Sequence, residues 1–333
     1  MTNIWNTQPS QADSCGRLPA GISWPGGKRF AFTIFDDTDG STTENISPIY
    51  CLLRDLGFRT TKSVWLLKSA TPSRRVADTC ADPAHLTFVC ELQRAGFEIG
   101  LHNATWDTST RSQIVAALQA FQKVFGDVPT VLAQHGDCNE NIYWGDARVS
   151  GIRRLIYRGC RSHASYHPAG HVQESPFFWG DLCQSKIKYI RNFVYLDINT
   201  LKVCPEMPYH DPQRPYVRYW FASSDGCDPE GFVRLLCPAN QDQLEEEGGA
   251  CIVYTHLYNF SRNGAVLPEV KQILRRLATR NGWFVPVGTL LDFLRASRPD
   301  VILTNAQRRR LEWHWLHDVM LTHAGEILRH VAR

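Results

Sequence analysis

Two spacings of apolar residues alternate along most of the chain. Residues 30–35 form a continuous apolar run, which predicts a strand covered on both faces. Residues 44–58 follow with Ile49, Leu52 and Leu53 at helical spacing, and Gly57 suits the end of that helix. A strand followed by a helix is the unit from which parallel sheets are built.

The same unit recurs along the chain. Further strands are predicted at 60–67, 97–102, 129–135, 250–256 and 283–287, and further helices at 85–97, 110–126, 267–282 and 288–297. This order predicts an α/β fold with parallel strands. Residues 159–228 break the rhythm and are rich in Pro, Tyr, Trp and His, so long loops around a site are expected there. We divide the chain into an irregular leader (1–28), an α/β barrel domain (29–296) and a basic helical tail (297–333).

The tail has two interpretations. Its helix could pack on its own domain or on a second subunit, which would make the protein a homo-oligomer. Alternatively, a basic amphipathic helix could contact a membrane surface or another anionic partner.

Composition narrows the class of protein. The chain has 333 residues, 43% hydrophobic and 21% charged, which is ordinary for a globular protein, and its formal charge of +3 is too small to indicate a nucleic-acid partner. The first residues lack a basic region followed by an apolar run, and the 11 cysteines have no C-x-x-C spacing. We therefore expect reduced thiols and a cytoplasmic location, peripheral to the membrane if the tail binds there.

Residues able to bind metal or move protons stand at the ends of four predicted strands. Asp36 and Asp37 follow the first strand, and His102, His135 and His256 each end a later one. In a parallel barrel the carboxyl ends of the strands share one face, where active sites are built, so these side chains are expected to share a site.

The paired aspartates allow two interpretations. Neighbours in a strand point to opposite faces, so Asp36 and Asp37 can face one site only if the pleat ends there. One could then hold a metal while the other accepts a proton from water. Otherwise "DDTDG" is a turn that caps the next helix, with Asp39 and Thr42 in that role.

Four stretches resemble motifs of one enzyme family. "FTIFDDTDG" resembles the "TFDDG" motif of NodB-type polysaccharide deacetylases (carbohydrate esterase family four), and "GFEIGLHNATWD" resembles their second motif. "CIVYTH" and "WFVPVGTLLDFL" resemble their late strands. The resemblance covers residues 30–294. It implies a distorted (β/α) barrel of about seven parallel strands, a divalent metal and hydrolysis of an acetyl group on a sugar.

The resemblance also implies roles for single residues. By position, Asp36 would be the general base, Asp37 and His102 would be metal ligands, and His256 would be the general acid. The family's second histidine ligand is replaced by Trp106, and "AQHGDCNENIYWG" stands where the third motif is expected. The missing ligand could be His135, which we favour for zinc, or the residue beside Trp106; otherwise the metal is absent.

The aromatic-rich segment 209–226 could form a sugar-binding wall, or its Tyr and Trp residues could serve packing alone. Its rings would stack on sugar faces, and its arginines could bind a base or a phosphate. The residues expected to contact the substrate, including those near the site, are Trp106, Asp107, Asn139, Arg214, Arg218 and Trp220.

Three functions compete. The first is a metal-dependent deacetylase acting on an amino sugar of a cytoplasmic precursor of a cell-surface glycan, carried on a lipid or a nucleotide. The second is a glycosyltransferase, because residues 37–39 match the D-x-D pattern that binds a metal and a sugar nucleotide. The third is a glycan-binding relative without catalysis.

Overall fold

The computed structural model describes residues 22–70, 77–160 and 166–331, with backbone alone for Cys160 and for residues 323–331. Most of the predicted leader, residues 1–21, lies outside these ranges. The leader's remaining residues enter the first strand through a short turn at Pro25–Gly27.

The described chain alternates strands and helices. The strands are β1 (Phe30–Asp36), β2 (Thr61–Val64), β3 (Glu98–Leu101), β4 (Val131–Leu132), β5 (Tyr189–Tyr195), β6 (Tyr209–His210), β7 (Tyr219–Asp225), β8 (Ala250–Thr255), β9 (Ser261–Arg262), β10 (Ala265–Val266), β11 (Gly282–Phe284) and β12 (Val301–Ile302). The helices are α1 (Thr43–Asp55), α2 (Pro83–Arg94), α3 (Arg111–Phe125), α4 (Ile152–Cys160), α5 (Gly180–Lys186), α6 (Thr200–Val203), α7 (Pro229–Leu235), α8 (Pro238–Glu247), α9 (Pro268–Ala278), α10 (Val287–Ala296) and α11 (Asn305–Val331).

Seven parallel strands close into a barrel. The order is β1, β2, β3, β4, β5, β7 and β8, and β8 pairs with β1 again, with Phe32 beside Cys251. Short strands extend the sheet: β11 beside β1, and β6 and β12 beyond β7. The predicted barrel of about seven parallel strands is confirmed.

The barrel is held by its first strand and by well-capped helices. Every residue of β1 is buried, as expected for a strand with neighbours on both sides and helices outside. The helices α1 and α3 begin with capping boxes at Thr42 and Thr110, which satisfy amide groups that the helices leave unpaired. These elements fix where the carboxyl ends of the strands lie.

The prediction of long loops over residues 159–228 is wrong for part of that segment. Two barrel strands, β5 and β7, lie within it. The pattern concealed β5 because Arg191 and Asn192 interrupt its apolar residues, although both side chains are buried. A buried charge with a distant partner breaks the apolar run without ending the strand.

The tail forms one long helix that packs on its own domain. α11 contacts α4 and β5, and Glu312 of α11 is fully buried. The Glu312 carboxylate accepts hydrogen bonds from Arg153 at 2.7 Å and from Arg214 at 3.1 Å. Contact with a membrane or a second subunit stays a prediction. None of the helices in the described ranges is both long and apolar enough to cross a bilayer.

The first testable prediction concerns this anchor. Glu312→Ala leaves two buried guanidinium groups without their shared carboxylate, so we expect the free energy of unfolding to fall by about 3–5 kcal/mol. Urea unfolding followed by circular dichroism measures it. The matched control is Glu230→Ala, because Glu230 pairs with Arg234 on the exposed surface and should change stability by less than about 1 kcal/mol. Equal effects of the two substitutions would contradict the anchoring role.

Candidate active site

Three carboxylates lie at the end of β1, and each has different partners. Asp36 is fully buried below the site. Its carboxylate accepts hydrogen bonds from the Tyr50 hydroxyl at 2.9 Å and from the amide of Leu257 at 3.0 Å, and the Lys62 ammonium lies 3.2 Å away. Burial, followed by the negative charge of Asp36, raises the pKa of Tyr50 well above its usual value. Asp36, at the end of β1, is therefore tied to α1, to β2 and to Leu257, the residue after His256.

Asp37 faces the opposite way and is paired with Arg191 of β5. The guanidinium donates two hydrogen bonds to the carboxylate, at 2.8 and 2.5 Å, and both side chains are buried. Burial lowers the pKa of Arg191, but the charge of Asp37 and its hydrogen bonds, with the charges of Tyr254 and Asp39, together raise it on balance. The guanidinium also lies over the Tyr254 ring, 4.3 Å from its centroid. This fork fixes the Asp37 carboxylate in orientation.

Asp39 is the carboxylate on which the three strand-end histidines converge. His135 Nδ1 lies 2.7 Å from its Oδ1, while His256 Nε2 and His102 Nε2 lie 3.0 and 3.4 Å from its Oδ2. The sequence predicted that the histidines would meet, but placed Asp36 or Asp37 at their centre. Because the chain turns after β1, the third aspartate reaches that position.

Backbone carbonyls fix two of the imidazole rings. His102 Nδ1 lies 2.8 Å from the carbonyl oxygen of Ala133, and His256 Nδ1 lies 3.0 Å from that of Cys227. A carbonyl only accepts hydrogen bonds, so each Nδ1 carries the proton. In neutral His102 the lone pair of Nε2 therefore points at Asp39, as in histidines that bind metals.

The cluster of Asp39, His102 and His135 has the character of a metal site. Within the described ranges, Asp39 Oδ1, His102 Nε2 and His135 Nδ1 are buried and have no partner in hydrogen-bonding geometry. Their potential ligand atoms lie within 4.8 Å of one another. One carboxylate oxygen and two imidazole nitrogens suit zinc and similar divalent ions. The three residues can therefore hold such an ion.

A second group joins the first through Asp39. Potential ligand atoms of Asp37, Asp39 and His256 also lie within 4.8 Å of one another. Burial raises the pKa of Asp39, but the closeness of His102, His135 and His256 holds it well below its usual value. Burial lowers the pKa of His256, but the hydrogen bond with Asp39 and the charges of Asp37 and Asp39 raise it on balance. The Asp37 carboxylate and the His256 imidazole thus lie beside the potential metal site formed by Asp39, His102 and His135.

A cavity of about 370 Å³ opens above these residues. Asp37, Asp39 and His102 line its barrel side. Aromatic rings and charged groups share its other walls; the rings belong to Trp144, Tyr157, Tyr166, Tyr254 and Trp315. Rings and convergent polar groups together can bind a small polar ligand.

Some residues predicted to bind substrate lie beside this cavity. Trp106 and Asp107 line a neighbouring groove, which shares His135 with the cavity. The Trp106 ring packs against the His135 ring at 4.8 Å between centroids. Asn139 lies behind this groove, where its side chain accepts a hydrogen bond from the amide of His167. The tryptophan at the family's histidine position is therefore a packing partner of His135.

The other predicted contacts lie away from the cavity. Arg214 is buried against Asp211 and Glu312, where it helps to anchor α11. Arg218 donates to the carbonyl oxygens of Gln184 and Ser185 in a separate surface depression. Trp220 is buried within β7. The structure does not bring these three to the strand-end histidines.

Sequence reasoning missed several residues of the site. Asp39 was considered only as a helix cap or as part of a D-x-D pattern, and Arg191 was not considered. A signal for Arg191 was present, because an arginine inside a run such as "YIRNFVY" needs a buried partner. The wall residue Trp315 lies in the tail, and no local pattern connects the tail with the strand ends.

Comparisons with known proteins bear on the fold. No family model matches the sequence, and no curated protein matches it. A solved structure from Mycobacterium smegmatis, assigned as a polysaccharide deacetylase, has a TM-score of 0.51 at 13% identity and is matched over 87% of this chain and 99% of its own. An allantoinase has a TM-score of 0.48 at 14% identity, over 88% and 99% of the two chains.

A third structure, a family 4 acetyl xylan esterase from Clostridium thermocellum in complex with a cobalt ion, has a TM-score of 0.39 at 14% identity, over 81% and 93% of the two chains. Only the M. smegmatis structure is similar enough to bear on the fold. With seven parallel strands in a closed barrel, the chain has the (β/α)₇ fold of the NodB-type polysaccharide deacetylases.

Proposed function

We propose that the protein is a metal-dependent hydrolase that removes an acetyl group from an amino sugar. The observation that carries this proposal is the convergence of Asp39, His102 and His135, with Asp37 and His256 beside them. This set combines three potential metal ligands with one candidate base and one candidate acid. The deacetylase-type fold agrees with the proposal.

The chain's own donors fit a divalent cation, with zinc as the favoured ion. Asp39, His102 and His135 would hold it, since their facing atoms lack hydrogen-bond partners within the described part of the chain. A cation bound there would polarise the acetyl carbonyl and lower the pKa of a water molecule. This assignment gives Asp39 the ligand role that the sequence resemblance gave to Asp37.

Asp37 is the better candidate for the general base. It lines the cavity, and the Arg191 guanidinium donates to both of its oxygens and fixes its orientation. From there it can take a proton from the attacking water. Asp36, to which the resemblance gave this role, is not among the residues lining the cavity and has its carboxylate occupied by Tyr50, Lys62 and the backbone.

His256 is the candidate general acid. Its raised pKa favours the protonated form, and the Cys227 carbonyl leaves Nε2 as the nitrogen that faces the site. From Nε2 it can give a proton to the leaving amine, while the aromatic wall holds the sugar ring and excludes water.

The natural substrate is proposed to be a cytoplasmic glycan precursor on a lipid or nucleotide carrier. The cysteines described with their surroundings are free thiols, which is consistent with a reducing compartment. Contact of α11 with a membrane surface is also part of the proposal.

The second prediction tests the ligand set. We expect His135→Ala and Asp39→Ala to lower affinity for zinc by more than the roughly 10–100-fold lost when an outer partner of a ligand is removed. Elemental analysis and competition with a chelator measure it. Asp107→Asn is the control, because Asp107 is the other residue considered as third ligand. Loss of zinc from the Asp107 variant alone would place the site beside Trp106 instead.

The third prediction tests the base. Asp37→Asn keeps the shape of the side chain but cannot take a proton, so acetate release from N-acetylated sugars should fall by roughly 10²–10⁴-fold with the metal content unchanged. Asp36→Asn is the comparison, with each rate expressed per folded molecule. If Asp36→Asn loses as much activity as Asp37→Asn while remaining folded, the base is Asp36.

The competing functions give different results with the wild-type protein. A metal-loaded protein that binds N-acetylated sugars without releasing acetate would be a glycan-binding relative. Transfer of a sugar from a nucleotide would support the D-x-D interpretation of residues 37–39. In the structure both oxygens of Asp37 accept hydrogen bonds from Arg191, whereas Asp39 lies among three histidines.

A further inference from the structure

The wall of the cavity opposite the barrel is formed by the tail. Trp315, Asp318, Val319 and Thr322 of α11 line the cavity together with Leu196, which follows β5. The Trp315 ring stacks on Tyr157 of α4, with centroids 5.3 Å apart. The helix thus lies over the strand ends that carry Asp37 and Asp39.

This helix is fixed in place by buried polar contacts. Arg308 pairs with Asp211 at 2.6 Å, Glu312 pairs with Arg153 at 2.7 Å, and Asp318 accepts a hydrogen bond from the amide of Leu196 at 3.0 Å. Two of these contacts precede the wall residues along the helix, and the third is made by the wall residue Asp318. Moving the wall would separate buried charges, which is costly. The α11 side of the cavity therefore behaves as a fixed end wall.

The site continues into a groove beside His135. His135, Gly136 and Asp137 line both the cavity and the neighbouring groove of about 580 Å³, whose other lining residues include Trp106 and Asp107. A ligand in the cavity can thus extend past His135 in this direction. The cavity itself, about 370 Å³, is at the small end of ligand pockets, which span about 300–1,000 Å³.

We infer that the site binds its sugar end-on. One terminal N-acetylated unit lies between the strand ends and α11, and the rest of the chain leaves through the groove beside Trp106. This inference rests on the function proposed above and specifies its substrate class: short chains or chain ends, not the interior units of a polymer. Trp315, stacked on Tyr157, and Asp318 form part of this end wall.

The fourth prediction tests this arrangement by filling the cavity. Val319→Trp adds bulk on the cavity side of α11, and Met320→Trp adds the same bulk at an exposed neighbouring position. Because the added ring fills the cavity, Val319→Trp should weaken the affinity for N-acetylglucosamine and its disaccharide by about tenfold or more. The affinity of Met320→Trp for these sugars should equal that of the wild type. Calorimetry with the zinc-loaded full-length protein measures binding, and thermal unfolding verifies that both variants are folded.

Product mapping provides the second measurement. A tetrasaccharide of N-acetylglucosamine, labelled with ¹⁸O at its reducing end, is incubated with wild type and sequenced by tandem mass spectrometry. Loss of acetyl from one terminal unit alone supports end-on binding, and loss from interior units overturns it. Equal binding by the two tryptophan variants, or no binding of these sugars by wild type, also overturns it.

The two proposals can fail separately. If wild type binds the sugars, Val319→Trp abolishes binding and no acetate is released, end-on binding stands and the hydrolase function falls. If acetate is released from interior units, the hydrolase function stands and end-on binding falls.

Discussion

Three buried carboxylates in four consecutive positions are the constraint on which the site depends. Buried charges must be compensated, and like charges so close together cannot share one partner without cost. The protein gives each its own: Lys62 and Tyr50 for Asp36, Arg191 for Asp37, and the strand-end histidines for Asp39. These partners come from across the barrel, so the cluster is compensated only when the barrel is closed.

Separate compensation also separates the roles of the carboxylates. The Asp36 carboxylate is held by a lysine, a tyrosine and a backbone amide, and Asp36 does not line the cavity. The two hydrogen bonds from Arg191 fix the orientation of the Asp37 carboxylate. Asp39 has unpaired atoms facing it from His102 and His135, which an incoming cation would satisfy. The environment, more than the order in the sequence, distinguishes three chemically identical side chains.

The sequence predicted the fold and the convergence of the histidines, but not which aspartate lies among them. Periodicity identifies strands such as β1 and β8, and a parallel barrel then brings His102 and His256 to one face. It cannot tell which of Asp36, Asp37 and Asp39 reaches the centre, because that depends on a turn after the strand. It also missed β5, since Arg191 and Asn192 disguise a buried strand as a polar segment. Both failures arise where long-range pairing overrides the local pattern.

The sequence around α11 does not predict that this helix lines the site. The residues of α11 that meet the cavity lie at helical spacing, as they would in any amphipathic helix, so their pattern fits packing on a barrel or on a membrane equally well. The difference lies in the partners of Glu312 and Arg308, which are buried charges of the barrel domain. Because those pairs form only with the helix across the strand ends, they fix the tail as a wall of the site. The same pairs therefore contribute to stability and set how far a ligand can extend toward α11.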